Sequence, residues 1–418
     1  MTQLAVRPQP LGIFPLPAGH LVLPPAEGAA AALPALLEGH LPDPLPAPWR
    51  FFALALAGDI TGALASLAHD PTPEARYNRF VLNGDPTLYA ALRAELSGDL
   101  ALLLEVTAYT LGLCASPPAA GTTSGELRAF VLMARVAYAL ECGAGAAAEA
   151  ELDDAIAAAG PHSPLLAAQL HITRAEMRVA RLGPEPLAIQ HYREAIRLLA
   201  GGGLAETRAY ASLSLGMLYQ ELANGQRAPL LEAVKCYQEA LRVFSRAAYP
   251  ELYALAQNNL ALAYLAMPLT EASDQLRMGI AVQALREALT VYSADKYPEH
   301  WSSAQLNLAN ALQYLPSAHP EEHLVESVEL YEALLAARDP ERDPLGYGRV
   351  LANQGNALAH LGVFTHARPK LQEAARLFAA GGDHEAAATV CQLLGEIEQH
   401  VAAQKGERLN GGLPAPAV

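Results

Sequence analysis

The sequence predicts an all-α protein built from repeated pairs of helices, and three observations carry this prediction. A pattern of eight residues rich in Leu, Ala and Asn recurs at residues 212–219, 257–264, 305–312 and 351–358. The small residues of successive copies lie 45 to 48 positions apart, at Gly216, Ala261, Ala309 and Gly355. Ala- and Leu-rich segments with helical spacing run from residue 48 onward, and the sparse β-branched residues do not alternate as strands require.

Each copy is followed by a second apolar helix, so the repeating unit is a helix pair. The second helices are predicted at residues 233–244, 281–292, 327–336 and 366–378, and a further pair precedes them at 165–181 and 188–199. Small residues such as Gly216 and Ala240 let two backbones approach, while larger apolar residues fill the seam. One pair cannot bury its apolar face alone, so about five pairs over residues 161–402 should stack into a solenoid.

The first 160 residues do not repeat clearly. Prolines are too dense in residues 1–48 for a helix longer than two turns, which predicts a proline-rich extended arm with at most one short helix at 26–39. The arm is either free or packed along the helices. Residues 49–160 are predicted to form a helical cap or degenerate repeats, with helices at 49–69, 86–97, 99–114, 124–142 and 146–159. Residues 403–418 are predicted to be a flexible tail.

Charge and composition restrict the class of partner. The formal net charge is −15, so a phosphate backbone would meet net repulsion, and we expect no nucleic-acid partner. The four cysteines stand far apart without a metal-binding spacing. No apolar run approaches the roughly 20 residues of a membrane-spanning helix, and no basic segment followed by an apolar core marks a signal peptide. We therefore expect a soluble, cytoplasmic protein, and self-association stays open.

The repeat resembles the tetratricopeptide repeat (TPR) family in its small and large apolar positions. Residues of matching type in two copies carry the resemblance, namely Leu215, Gly216, Tyr219 and Ala240, and then Leu260, Ala261, Tyr264 and Ala288. The copies are longer than the family's usual repeat of about 34 residues and are similar to the long-repeat type of bacterial signalling proteins. The resemblance implies a right-handed α-α superhelical solenoid of TPR-like helix hairpins, whose concave face binds a protein or peptide.

In this family the first helix of each pair lines the concave groove. The positions two before and one after the small residue point partly toward it, and asparagine, a poor helix former, recurs there. Its amide could hydrogen-bond an extended peptide backbone; alternatively, the amides bond between adjacent helices and stabilise the stack. The candidate partner-binding residues are Asn259, Asn307, Asn310, Asn353 and Asn356, with Arg349 and Tyr314.

One segment formally matches a zinc-peptidase signature. His319-Pro320-Glu321-Glu322-His323 has the HxxEH pattern, in which two histidines on one helix hold the metal. Pro320 disfavours helix at His319, and acidic residues in a first helical turn are favoured by the helix dipole alone. No nucleophile motif or phosphate-binding loop stands out. The sequence therefore predicts a protein without a catalytic, metal or cofactor site.

The function expected on these grounds is that of a protein–protein interaction scaffold or adaptor. The alternative hypothesis is an assembly or maturation factor for a multisubunit enzyme, in which the arm and the N-terminal helices grip a client. A metal-dependent hydrolase that uses the HxxEH segment is a third hypothesis, and the proline before the Glu pair weakens it.

Overall fold

The computed structural model describes residues 3–268, 274–316 and 319–410. Across these ranges the chain forms nineteen α-helices and no strand, so the all-α prediction is confirmed. The chain divides into two compact units, Met1–Leu222 and Ala223–Val418. This boundary lies later in the chain than residue 161, where the repeats were predicted to begin. None of the helices in the described ranges is both long enough and apolar enough to cross a membrane.

The helices of the first unit follow the chain in short elements before residue 125 and in longer ones after it. They are α1 Ala29–Leu37, α2 Arg50–Leu56, α3 Ile60–Leu67, α4 Pro73–Asn83, α5 Pro86–Glu95, α6 Asp99–Thr110, α7 Gly125–Glu141, α8 Gly145–Ala159, α9 Pro164–Leu182, α10 Pro186–Leu198 and α11 Ala205–Leu222.

The helices of the second unit are longer and more uniform. They are α12 Arg227–Leu241, α13 Pro250–Leu265, α14 Asp274–Leu289, α15 Pro298–Gln313, α16 Pro320–Ala337, α17 Pro344–His360, α18 Phe364–Ala380 and α19 His384–Asn410. Many helices in both units begin with proline, whose fixed φ suits the first helical position and whose missing N–H would have had no partner there. At α17 the Asp343 side chain also caps the helix, accepting from the Gly346 N–H at 2.9 Å.

Successive helices pack against each other within each unit. The predicted pairs α9/α10, α13/α14, α15/α16 and α17/α18 are all in contact, and α11 and α12 fall on either side of the unit boundary. The small residues allow the close approach that the repeat predicts. A Cβ atom added at Gly355 would lie 2.6 Å from Leu371 Cγ, and Ser327 Oγ donates to the Ala309 carbonyl at 2.8 Å. The helix-pair repeat is therefore confirmed by its packing.

Prediction and structure differ at three places in the first 115 residues. The single helix at 49–69 is broken into α2 and α3, because Gly58 adopts φ +82° and Asp59 caps the new helix by accepting from the Gly62 N–H at 2.8 Å. The helix predicted at 99–114 ends at Thr110, before Gly112 at φ +74°. Helix α4 was not predicted, although Thr72 followed by Pro73 is a helix-start signal.

The proline-rich stretch is extended over much of its length, but it is not a separate arm. We call residues 3–24 the N-terminal segment. Six of its apolar side chains are at most 1% exposed, and they are Leu11, Ile13, Ala18, Leu21, Val22 and Leu23. The short helix expected at 26–39 is α1, which contains Pro34. Prolines prevented a long helix, as predicted, but the apolar residues between them drive the segment into the core.

Side chains from the helices hold the backbone of the N-terminal segment. The Asn78 amide pairs with both backbone groups of Val22, accepting from its N–H and donating to its carbonyl, each at 2.8 Å. Gln169 Nε2 donates to the Ile13 carbonyl at 2.8 Å. Arg7 forms a two-point ion pair with the buried carboxylate of Glu126, at 2.9 and 3.0 Å. These contacts supply the hydrogen bonds that an irregular buried backbone needs.

Acid is expected to weaken the first unit through His20. Its Nδ1 lies 3.0 Å from Thr107 Oγ1, its ring meets the Phe130 ring edge-on, and burial lowers its pKa to about 4. The unfolded chain, with a histidine pKa near 6.5, then binds more protons as pH falls from about 6.5 to 4. The contribution is complete above this window and is lost within it. We expect a loss of about 2 kcal/mol between pH 7 and pH 5.

Urea unfolding of the full chain at pH 7 and pH 5, followed by hydrogen exchange in peptides from the first unit, measures this loss. A His20→Gln variant keeps a polar side chain that cannot titrate in this range, so its unfolding free energy should depend less on pH. Equal pH dependence in the two proteins would contradict the assignment to His20. His171 and His191, whose Nδ1 atoms lie 2.9 Å apart, also have lowered pKa values because of burial, so the variant should retain part of the dependence.

Candidate functional site

One face of the second unit is made by alternate helices. Helices α13, α15, α17 and α19 contact one another in that order, and we call their common surface the A-helix face. All seven predicted partner-binding residues belong to these helices or, for Tyr314, to the residue that ends α15. The structure therefore places the candidate residues on one set of helices, where five of them divide among three environments: a cleft, a hydrogen-bonded ladder and a second cleft.

The first environment is a cleft of about 470 Å³ between α13 and α15, which we call the α13–α15 cleft. Three predicted residues, Asn307, Asn310 and Tyr314, lie on its wall, and the complete lining adds Leu262, Tyr264, Leu265, Ala266, Met278 and Ala311. Tyr314 is 64% exposed at the rim. On the opposite side Tyr264 is half-buried, which raises the pKa of its hydroxyl. The cleft thus joins an apolar floor to amide and phenol groups.

The second environment is a ladder of amides between α15 and α17. Asn310 Oδ1 accepts two hydrogen bonds, from Tyr331 Oη at 2.6 Å and from Asn353 Nδ2 at 2.9 Å. One turn further on, Asn356 Nδ2 donates to Gln313 Oε1 at 3.2 Å. The alternative in which amides bond between adjacent helices therefore describes Asn310, Asn353 and Asn356. The sequence analysis missed Gln313 and Tyr331, although Gln313 lies one turn beyond Asn310.

The ladder has a register that explains why Asn307 differs. In the Asn310–Asn353 rung the residue one after a small residue bonds the residue two before the small residue of the next repeat. One repeat earlier the same rung would join residue 262 to Asn307, but residue 262 is leucine. Among the described residues the Asn307 side chain has no hydrogen-bond partner. Its amide is therefore left available at the α13–α15 cleft.

The third environment is a smaller cleft of about 360 Å³ between α17 and α19, the α17–α19 cleft. Asn353 and Asn356 form one wall, and the rest of the lining is Ala352, Leu371, Thr389, Val390, Gln392, Leu393 and Glu396. Gln392 Nε2 donates to Glu396 Oε1 at 3.0 Å. Sequence reasoning missed Glu396, although it follows the small residue Gly395 as Asn310 follows Ala309.

Two predicted residues lie outside both clefts. Asn259, on α13, is half-buried, and its Oδ1 accepts from the neighbouring Asn258 Nδ2 at 3.4 Å. Arg349 is exposed on α17, seven residues before Asn356, which is about two helical turns or 10 Å along the axis. It therefore lies toward the opposite edge of the A-helix face from Asn356.

The HxxEH segment does not place its two histidines on one helix. His319 precedes α16 as its exposed N-cap residue, with φ −127° and ψ 62°, while His323 lies inside the helix. Pro320 begins α16, as its effect on the preceding residue predicts. In the part of the chain that the structure describes, no three His, Cys, Asp or Glu side chains are grouped to hold a metal ion.

The chain is similar to some solved structures but not to any family model or curated protein. No protein-family model matches the chain, and no curated protein matches it. Among solved structures it is similar to a Rap protein complexed with Competence and Sporulation Factor, at 12% identity and a TM-score of 0.36, over 85% of this chain and 97% of that one. It is also similar to an IFIT1 monomeric mutant with Gppp-AAAA, at 13% identity and a TM-score of 0.31, over 78% and 70% of the two chains. The helix-pair fold is established by the packing described above, not by these likenesses.

Proposed function

We propose that the protein is a non-catalytic scaffold that binds an extended peptide segment of a partner protein on the A-helix face of its second unit. The observation that carries the proposal is the amide of Asn307, which has no hydrogen-bond partner among the described residues and lines the α13–α15 cleft. An extended peptide presents N–H and carbonyl groups along its length, and an amide can donate to one and accept from the other.

The surroundings of Asn307 support this function. Tyr264 and Tyr314 flank the cleft, and tyrosine provides a large contact area together with a polar hydroxyl. Leu262 and Met278 supply an apolar floor that could accept a side chain of the ligand. The ladder on α15 and α17 fixes the wall of the cleft, because both acceptor positions of Asn310 Oδ1 are occupied. A rigid wall reduces the entropy that binding would cost.

The proposed class of partner is based on the net charge of the chain. A formal charge of −15 favours a protein or peptide partner over nucleic acid. We assign no reaction, metal or cofactor to the chain and expect it in the cytoplasm. The hypothesis of an assembly or maturation factor would use the same face on a client, and the peptide experiment below applies to it equally.

Replacing Asn307 with leucine is expected to weaken peptide binding about tenfold or more without lowering the melting temperature. The variant repeats the residue type of Leu262, so the fold keeps an apolar contact, while a peptide group in the cleft loses its hydrogen-bond partner, at a cost of about 1–3 kcal/mol. The probe is a peptide selected from a randomised display library on the wild-type protein. Its affinity is measured by fluorescence polarisation.

Asn259→Leu is the matched control for this experiment. It makes the same substitution at the equivalent position one repeat earlier, outside both clefts, so it should bind the selected peptide as the wild type does. If Asn307→Leu binds as tightly as Asn259→Leu, the α13–α15 cleft is not the binding site. If the library yields no binder at all on the folded full chain, the scaffold proposal itself is wrong.

A further inference from the structure

The chemistry of the α13–α15 cleft restricts what it can hold. Among the residues that the structure describes, its lining contains no Asp, Glu, Lys, Arg or His. A charged side chain inserted there would lose its hydration shell and gain no opposite charge in return. An aliphatic or aromatic side chain would instead cover Leu262, Leu265 and Met278 and pack between the two tyrosine rings. The cleft is therefore selective for an uncharged, apolar anchor.

The α17–α19 cleft has a different character. Of the side chains that the structure describes in its lining, Glu396 is the ionisable one, and it is exposed. Within the described residues its carboxylate accepts a hydrogen bond from Gln392, and no Lys or Arg forms an ion pair with it. Arg349 is a positive group on α17, but it lies about two turns away toward the other edge. A cationic group at this cleft would meet an uncompensated carboxylate.

The distance between the two clefts determines how far apart an apolar and a basic residue must lie in the sequence of a ligand that reaches both. From the α13–α15 cleft to the α17–α19 cleft a ligand crosses two helix spacings, and packed helices lie about 8–10 Å apart. The path is roughly 16–20 Å long. An extended chain advances about 3.3 Å per residue, so about five or six residues cover it. The ladder between α15 and α17 lies beneath this path.

Given the proposed function, we propose that the ligand is an extended peptide with an uncharged aromatic or aliphatic anchor in the α13–α15 cleft and a Lys or Arg five or six residues away at Glu396. Binding is thus specific for a spacing between an apolar and a basic residue. Glu396 determines the basic position, and the two tyrosines with Leu262 and Met278 determine the anchor.

The test is a randomised peptide display library selected in parallel on four full-length proteins: the wild type, Glu396→Lys, Glu398→Lys and Asn307→Leu. Glu398 is exposed on the same helix but does not line the cleft, so Glu398→Lys makes the same change in net charge without touching the site. Deep sequencing gives the residue preference at each distance from the anchor, and circular dichroism melting confirms that each variant is folded.

Three outcomes are distinguishable. The inference is supported if the wild type and Glu398→Lys enrich a basic residue five or six positions from the anchor, and Glu396→Lys enriches an acidic residue there instead. Single peptides should then differ about fivefold in affinity between matched and mismatched charges. Anchored peptides that Asn307→Leu no longer binds, but whose charge preference is the same on both lysine variants, overturn the inference and leave the proposed function standing. A library that enriches nothing on the wild type beyond Asn307→Leu overturns both.

Discussion

A chain that lacks residues 1–24 is expected to lose the native structure of its first unit. The buried apolar side chains that the deletion removes include six large ones of the N-terminal segment, Leu11, Ile13, Phe14, Leu21, Val22 and Leu23. At about 1.5–3 kcal/mol each, they contribute roughly 9–18 kcal/mol, as much as the whole stability of a typical domain. It also leaves the carboxylate of Glu126, whose residue is 1% exposed, without its ion pair to Arg7.

Hydrogen exchange followed by mass spectrometry is the appropriate measurement, because it reports protection in each helix separately. Peptides from α4, α7 and α9, which contact the segment, should exchange at nearly the rate of an unfolded chain. Point variants give a matched comparison. Leu11→Ala should cost about 2–5 kcal/mol, whereas Leu16→Ala, at a side chain that is 49% exposed, should cost little. Unchanged protection in the deleted chain would show that the segment is a removable arm.

The second large effect is expected at Asn310, where an alanine substitution should lower the free energy of unfolding by about 2–4 kcal/mol. The reason is the loss of one acceptor that serves two donors, the hydroxyl of the fully buried Tyr331 and the amide of Asn353. A buried donor left without a partner pays its full desolvation cost. The effect is measured by urea unfolding of the full chain, with the transition of the second unit followed by hydrogen exchange.

Asn307→Ala is the control, since it removes the same amide from the same helix at a position that makes no hydrogen bond within the described residues. Its stability should change by less than about 0.5 kcal/mol. A double-mutant cycle between Asn310→Ala and Tyr331→Phe isolates the coupling of the pair. If both asparagine variants unfold at the same urea concentration as the wild type, the ladder does not stabilise the stack.

The repeat was predictable from sequence because its packing depends on residue size at fixed positions. Residue 355 must be glycine because a Cβ atom there would clash with Leu371. Such size restrictions recur once in each repeat, so they appear as a periodic pattern in the sequence. The sequence indicates the burial of the N-terminal segment less clearly. Its prolines correctly excluded a long helix, but the short apolar runs around Leu11 and Leu21 reveal burial only when the helices that cover them are known.

The periodicity of the repeat alone did not separate the roles of the asparagines, since each role depends on a residue in the preceding repeat. Asn307 and Asn353 occupy equivalent positions, yet Asn353 faces Asn310 and Asn307 faces Leu262. Glu396 escaped notice for a related reason: α19 shares only the small residue with the other copies, and Gly395 follows Gly355 at a shorter spacing than the other small residues show. A comparison of each residue with its counterpart about 40 to 48 positions earlier, in register, would have found both Asn307 and Glu396.

The replacement of one ladder residue by Leu262 has a consequence for how such an array can change over time. An amide that is hydrogen-bonded to its neighbour in the adjoining repeat binds no ligand. It becomes available to solvent and to ligands when that neighbour alone is substituted. The helices, their spacing and their core need not be altered. The position of the binding site can thus shift along the array by one repeat through a single substitution. The hydrogen-bonded amides of the ladder are the side chains that such substitutions would make available.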